Sequence, residues 1–139
     1  MDIQTRINGV QRLILKNKDF FRIHQGEIGM DLKEQLTKIV SDNDLINVAY
    51  ELFWKSYKNA LSESPDETEE YGLVDANSVN AILHSTSYKL FNDIHINEVN
   101  LEYIVVQIRI YDKKSRYIGY YDACFDLDGT IADDFLVFE

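Results

Sequence analysis

Along the first sixty or so positions, apolar residues recur at helical spacing. Ile3, Ile7, Val10, Ile14 and Phe21 fall on one stripe, with Leu13 and Phe20 beside them and Arg6, Arg12, Lys16 and Lys18 opposite. Gly26 and Gly29 break that pattern. A second helix is predicted from Asp31, where Glu34 three residues on completes a capping-box-like pair. Its stripe is Leu32, Leu36, Ile39 and Val40, and Ser41-Asp42-Asn43-Asp44 reads as a stop followed by a new N-cap. A third helix carries Leu45, Val48, Ala49, Leu52, Phe53, Tyr57, Ala60 and Leu61 on one face, with Trp54 at its margin. The acidic stretch from Ser62 to Glu70 holds the only proline, Pro65, and reads as a loop. A fourth, shorter helix is expected from near Asp75, carrying Val79, Ile82, Leu83 and Leu90. Ser85-Thr86-Ser87 weakens it, since these side chains compete for backbone hydrogen bonds.

After Asn100 the period changes to two. Ile104, Val106, Ile108 and Ile110 alternate with Tyr103, Val105, Gln107, Arg109 and Tyr111, the mark of a strand with one fully apolar face. Asp112-Lys113-Lys114-Ser115 is a polar turn. A second strand runs from Tyr117 to Leu127 and a third from Thr130 to Phe138. Helices first and a closing antiparallel meander predict an α+β domain: a helical part over 1–92 and a β-meander of at least three strands over 99–138, the helices covering one face of the sheet.

Composition adds size and compartment. The 139 residues fit one domain, and 45% apolar content with 7 Phe, 9 Tyr and 1 Trp fills a core without metals or disulfides. The lone Cys124 has only acids for charged neighbours and reads as a small buried hydrophobe. No apolar run approaches the roughly 20 residues of a membrane span, and the N-terminal residues lack a signal-peptide layout. The expectation is a cytoplasmic protein without membrane contact.

Charge changes the picture most. Residues 1–60 hold 9 Lys/Arg and 8 Asp/Glu, whereas residues 61–139 hold 5 Lys/Arg and 16 Asp/Glu, and no basic residue follows Arg116. A nucleic-acid binder needs a basic surface to neutralise phosphates. This chain has the opposite field, which excludes nucleic acid as the expected partner and favours a basic one. His24, His84 and His95 are scattered without metal-motif spacing. There is no glycine-rich phosphate loop and no Gly-x-Ser-x-Gly elbow, so no cofactor, metal or catalytic group is expected.

One segment imitates an enzyme. Phe125-Asp126-Leu127-Asp128-Gly129-Thr130-Ile131 resembles the first motif of haloacid-dehalogenase-like phosphatases, which would nominate Asp126 as nucleophile and Asp128 as acid/base in a metal-dependent phosphoesterase. That chemistry sits at the end of a parallel strand, and 11 residues after Asp128 are too few for the next crossover and strand. A calcium loop aligned on Gly129 fails too, with Cys124 and Phe135 at ligand positions. A hairpin accounts for the residues better. Asp128-Gly129 as a two-residue type I′ turn pairs Phe125 with Ala132, Ala123 with Asp134 and Tyr121 with Leu136 on a face apolar apart from Asp134. Asp126, Cys124, Asp122 and Tyr120 then oppose Ile131, Asp133, Phe135 and Val137 on a mixed, wet face.

That wet face offers Asp122, Asp126 and Asp133, with Asp128 at the tip and Tyr120 and Tyr117 adding aromatic area, a combination suited to docking against a basic protein surface. The bland alternative is a solvated face that guards a strand edge. The acidic chain, with Tyr117-Ile118-Gly119-Tyr120-Tyr121 leading to Asp133-Asp134-Phe135-Leu136-Val137-Phe138-Glu139, resembles immunity proteins of bacterial toxin–immunity systems, contact-dependent growth inhibition among them. The resemblance implies a non-catalytic inhibitor that binds a cognate, basic toxin domain such as a nuclease and blocks it. The other class of reading is an acidic regulatory module whose carboxylates mimic nucleic-acid phosphates.

Overall fold

The computed structural model describes residues 30–93 and 98–139. The first predicted helix, His24 and His95 lie outside the described residues. The second predicted helix is α1, Leu32–Asp42. The Asp31 carboxylate accepts from the Glu34 N–H at 2.8 Å, satisfying one of the amides a helix start leaves without a partner. Val40 is buried and Leu36 and Ile39 half-buried, while Leu32 is 41% exposed. Asn43 closes the helix, its backbone N–H and its side-chain Nδ2 both donating to the Ile39 carbonyl. Asp44 then turns the chain in the left-handed region, at φ 52°. Its carboxylate bonds the Asn47 side chain instead of a backbone amide, so it precedes the next helix without capping it.

Helix α2, Leu45–Glu63, is the central element. Leu45, Ala49, Phe53 and Tyr57 recur every fourth residue and are fully buried. The acidic stretch expected as a loop is partly helix: α3 spans Pro65–Glu70. Pro65 stands where a missing N–H costs nothing, and Asp66 and Glu67 complement the positive end of the helix dipole. Thr68 turns inward and donates its hydroxyl to the carbonyls of Ser64 and Pro65.

The fourth helix is absent, and a strand takes its place. Asp75 does cap a helical turn, but only the 3-10 turn Ala76–Ser78. Strand β1 then runs Val79–Asp93 and pairs antiparallel with β2, Glu98–Asp112. A bulge between Leu83 and Ser85 explains the misreading. One extra residue resets the alternation, so Val79, Ala81 and Leu83, then Thr86, Tyr88 and Leu90, share a face. Neither period two nor period 3.6 fits that spacing. The sheet therefore begins at Val79, not near 99.

Strands β3, Tyr117–Phe125, and β4, Ile131–Phe138, complete a four-stranded antiparallel sheet in the order β1-β2-β3-β4. Helices followed by this meander make an α+β fold. Ile104, Val106, Ile108 and Ile110 of β2 and Tyr121, Ala123 and Phe125 of β3 are fully buried in one core cluster with the inner stripe of α2. Phe53 joins the layers, its ring 5.7 Å from that of Tyr121 and 5.8 Å from that of Tyr57. Burying one such ring stabilises the fold by about 2 kcal/mol. Tyr57 also donates to the Asp75 carbonyl at 2.8 Å, tying α2 to the start of the sheet. Burial, then the nearby Asp75 carboxylate, pushes the Tyr57 phenol up to about 12, so it stays a donor at neutral pH.

Candidate functional site

The enzyme-like motif is a hairpin loop between antiparallel strands. Asp126 N–H donates to the Thr130 carbonyl at 2.8 Å, and Gly129 N–H donates to the Asp126 carbonyl at 2.9 Å. Gly129 lies at φ +90° and Asp128 is not in the left-handed region. A type I′ turn needs positive φ at both central residues, so the turn is not the two-residue one expected. It is a three-residue loop with a glycine bulge. From Cys124 outward the expected pairs hold: Cys124 with Asp133, Ala123 with Asp134, Tyr121 with Leu136 and Gly119 with Phe138. Nearer the tip Phe125 pairs with Ile131 instead of Ala132, and the irregularity there restores the register. The strand after the motif thus returns antiparallel beside the strand before it. A phosphatase of the resembled type needs a parallel strand there.

The Asp128 carboxylate is engaged with its own loop. It accepts from the Thr130 N–H at 2.9 Å, and that bond holds its pKa below the usual carboxylate range. The loop also has a neighbour the sequence did not announce. A Cβ on Gly129 would lie 2.5 Å from the Asn43 side-chain oxygen, so the tip rests on the α1–α2 junction. Asp42 and Asp44 flank Asn43 in the chain, so an acidic junction meets an acidic turn. No spacing signal could have found this, because 86 positions separate Asn43 and Gly129 in sequence.

The other nominated residues spread along β3 and β4. Asp122 is half-buried and accepts from Gln107 Nε2 at 2.9 Å. Tyr120, two residues before it, projects from the same face opposite Val137. Burial, then the Asp122 carboxylate, raises the Tyr120 phenol. Asp133 is exposed, and its Oδ1 accepts from the Asp134 N–H at 2.8 Å. Phe135, paired with Asp122, is 48% exposed. Tyr117 stands at the far end of β3, with the Arg109 guanidinium 5.4 Å above its ring and the Tyr111 ring 6.0 Å away. Burial, then Glu139, raises its phenol. At about 3.3 Å per residue, Tyr117 and Asp126 lie roughly 30 Å apart. The structure therefore brings Tyr120, Asp122 and Asp133 together, sets Asp126 and Asp128 at the tip beside the helix junction, and leaves Tyr117 apart.

Two details correct the expected wet face. Cys124 and Val105, paired across β2 and β3 on the side away from α2, are 3% and 6% exposed, so that face has a dry centre. Burial, then the carboxylates of Asp122 and Asp133, pushes the Cys124 thiol up to about 11. Such a thiol is a poor nucleophile at neutral pH. Asp134, the one polar exception on the apolar face, proves to be a bridge. Its Oδ2 accepts from the Tyr121 hydroxyl at 2.8 Å and from the Ser56 hydroxyl at 3.1 Å, linking β3, β4 and α2.

Among the described residues, no three His, Cys, Asp or Glu side chains are grouped to hold a metal ion, and no helix is long and apolar enough to cross a membrane. Comparison with protein-family models, with curated proteins and with solved structures finds no match for this chain.

Proposed function

We propose that this chain is a non-catalytic immunity protein that binds and neutralises a cognate, basic toxin domain, such as a nuclease. The observation that carries the reading is the one-sided charge: 16 Asp/Glu against 5 Lys/Arg over residues 61–139, with no basic residue after Arg116. Asp126 and Asp128 stand beside the Asp42–Asp44 junction, and Asp122 and Asp133 continue the acidic surface along the hairpin. Clustered carboxylates of this kind steer a basic partner into register and raise its association rate. Tyr120 and the exposed ring of Phe135 add aromatic area beside those charges, the type of side chain that anchors protein interfaces.

The test is co-expression with the product of the adjacent gene in a growth assay. Restored growth together with a complex whose affinity falls as salt rises is the expected result. If the neighbouring product is harmless alone, or binds equally well at low and high salt, the reading fails. Reversal of Asp122, Asp126 and Asp133 to Lys locates the surface: at least a tenfold loss of affinity is expected if the hairpin is the docking face.

A further inference from the structure

A four-stranded open sheet has two edges, and this molecule treats them differently. On β1 one outward amide and one outward carbonyl near the start of the strand are covered. The Tyr50 hydroxyl, reaching across from α2, accepts from the Leu83 N–H at 2.8 Å and lies 3.5 Å from the Ala81 carbonyl. The bulge directly after Leu83 then twists that edge away from any incoming strand. Strand β4 has a bulge only near the hairpin tip, between the Phe125–Ile131 and Cys124–Asp133 pairs.

The direction of each backbone group on β4 follows from one bond. Glu139 N–H donates to the Ile118 carbonyl at 2.9 Å, which fixes the ladder. In an antiparallel pair, facing and outward residues alternate. Residues 133, 135, 137 and 139 therefore face β3, and Asp134, Leu136 and Phe138 present their N–H and C=O groups to the free edge. The Asp134 N–H is taken by Asp133. Among the described residues nothing accepts from the amides of Leu136 and Phe138, which leaves them for an added strand. Of the devices that guard natural edges, this one has acidic side chains and a bulge at its start but no lysine or proline: Lys and Arg end at Arg116, and the only proline is Pro65. The charges beside it are Asp133, Asp134 and Glu139, all acidic.

From these outward amides and the purely acidic charge beside them, we propose that the β4 edge from Asp134 to Phe138 is a docking site for an extended basic segment of the partner, which adds as a fifth strand and neutralises the acids that repel other strands. This rests on the basic-partner reading above and specifies how that partner engages. Main-chain bonds to Leu136 and Phe138 supply the attachment. Lysine or arginine side chains at every second position of the incoming strand lie on one face, the face of Asp133. A second copy of this chain is disfavoured as occupant, because it would set these carboxylates against themselves.

The probe is a short synthetic peptide of alternating lysine and valine, added to the full-length protein. Residue-resolved amide exchange is the readout. The proposal expects the Leu136 and Phe138 amides to exchange at least tenfold more slowly with peptide, and the β1 amides to be unchanged. Phe135→Lys puts a guarding charge on the edge without touching its backbone bonds, and is expected to weaken the peptide at least tenfold. Leu136→Pro removes one outward donor and gives the same loss where circular dichroism shows the fold retained. Peptide binding that protects other amides overturns the edge as the site while leaving the basic-partner reading to its own growth assay. No binding overturns the edge proposal outright. Protection of the same amides that grows with protein concentration, without peptide, makes a second copy the occupant and also overturns it.

Discussion

At the scale of single residues, the two hairpin turns among the described residues are built alike and filled differently. The β2–β3 turn closes with Asp112 N–H to the Arg116 carbonyl and Ser115 N–H to the Asp112 carbonyl, the same bond pattern as the β3–β4 loop. The left-handed position falls on Ser115, at φ 61°, in the first turn and on Gly129 in the second. A side chain there costs about 1 kcal/mol. Ser115→Gly should therefore raise unfolding free energy by up to about 1 kcal/mol, while Gly129→Ala should lower it by more than that, since its Cβ also meets Asn43. Chemical denaturation of both variants checks the pair, and destabilisation by Ser115→Gly would refute it. Asp112 sets the first turn. Its carboxylate accepts from the Arg116 and Lys114 amides and from Arg116 Nε, and the Arg116 amide bond is the leading cause of its lowered pKa. A carboxylate lowered in the folded state contributes stability that is present above its unfolded pKa and lost as pH falls through the folded value. Stability should thus decline below about pH 4, and Asp112→Asn should make that decline shallower in acid titrations followed by circular dichroism.

Among the elements, α2 does more than cover the sheet. Its inner stripe packs on β2 and β3, Ser56 reaches Asp134 on β4, and Tyr50 covers the β1 edge at Leu83. Removing the Tyr50 hydroxyl leaves the Leu83 amide open. Tyr50→Phe should cost about 1 kcal/mol, accelerate exchange of the Leu83 amide at least tenfold and increase self-association at high concentration. Unchanged exchange at Leu83 would show that the hydroxyl does not guard that edge. The elements also differ in how legible they were. Helix α2 was readable because its apolar residues keep an unbroken four-residue spacing. Strand β1 was not, because its bulge is specified by pairing with β2 and leaves no period in β1 alone. Helix α3 was misread because polar composition looks the same in a loop and in a short exposed helix.

For the whole molecule, charge sets the behaviour. A net charge of −10 repels itself within a compact volume. Added salt screens that repulsion over about 10 Å at 0.1 M. If it relieves about 1 kcal/mol, Tm should rise by roughly 4 °C. Thermal melts from low to moderate sodium chloride test this, and a Tm independent of salt would show that local ion pairs offset the net charge. The same screening should weaken a basic partner, so salt is expected to move stability and affinity in opposite directions.

The Asp126–Thr130 segment shows where sequence stops and tertiary structure begins. Side-chain alternation alone established that the chain reverses there, that Cys124 onward pairs in one register, and that Asp122 and Asp133 share a face. It also established the α+β order and the acidity of the second half, because periodicity and charge are properties of the chain itself. The turn's loop length, the contact between Gly129 and Asn43, the role of Asp134 under Tyr121 and the choice of which sheet edge Tyr50 covers were decided by the folded molecule. All but the loop length depend on residues far apart in sequence meeting in space, and no local pattern encodes such a meeting.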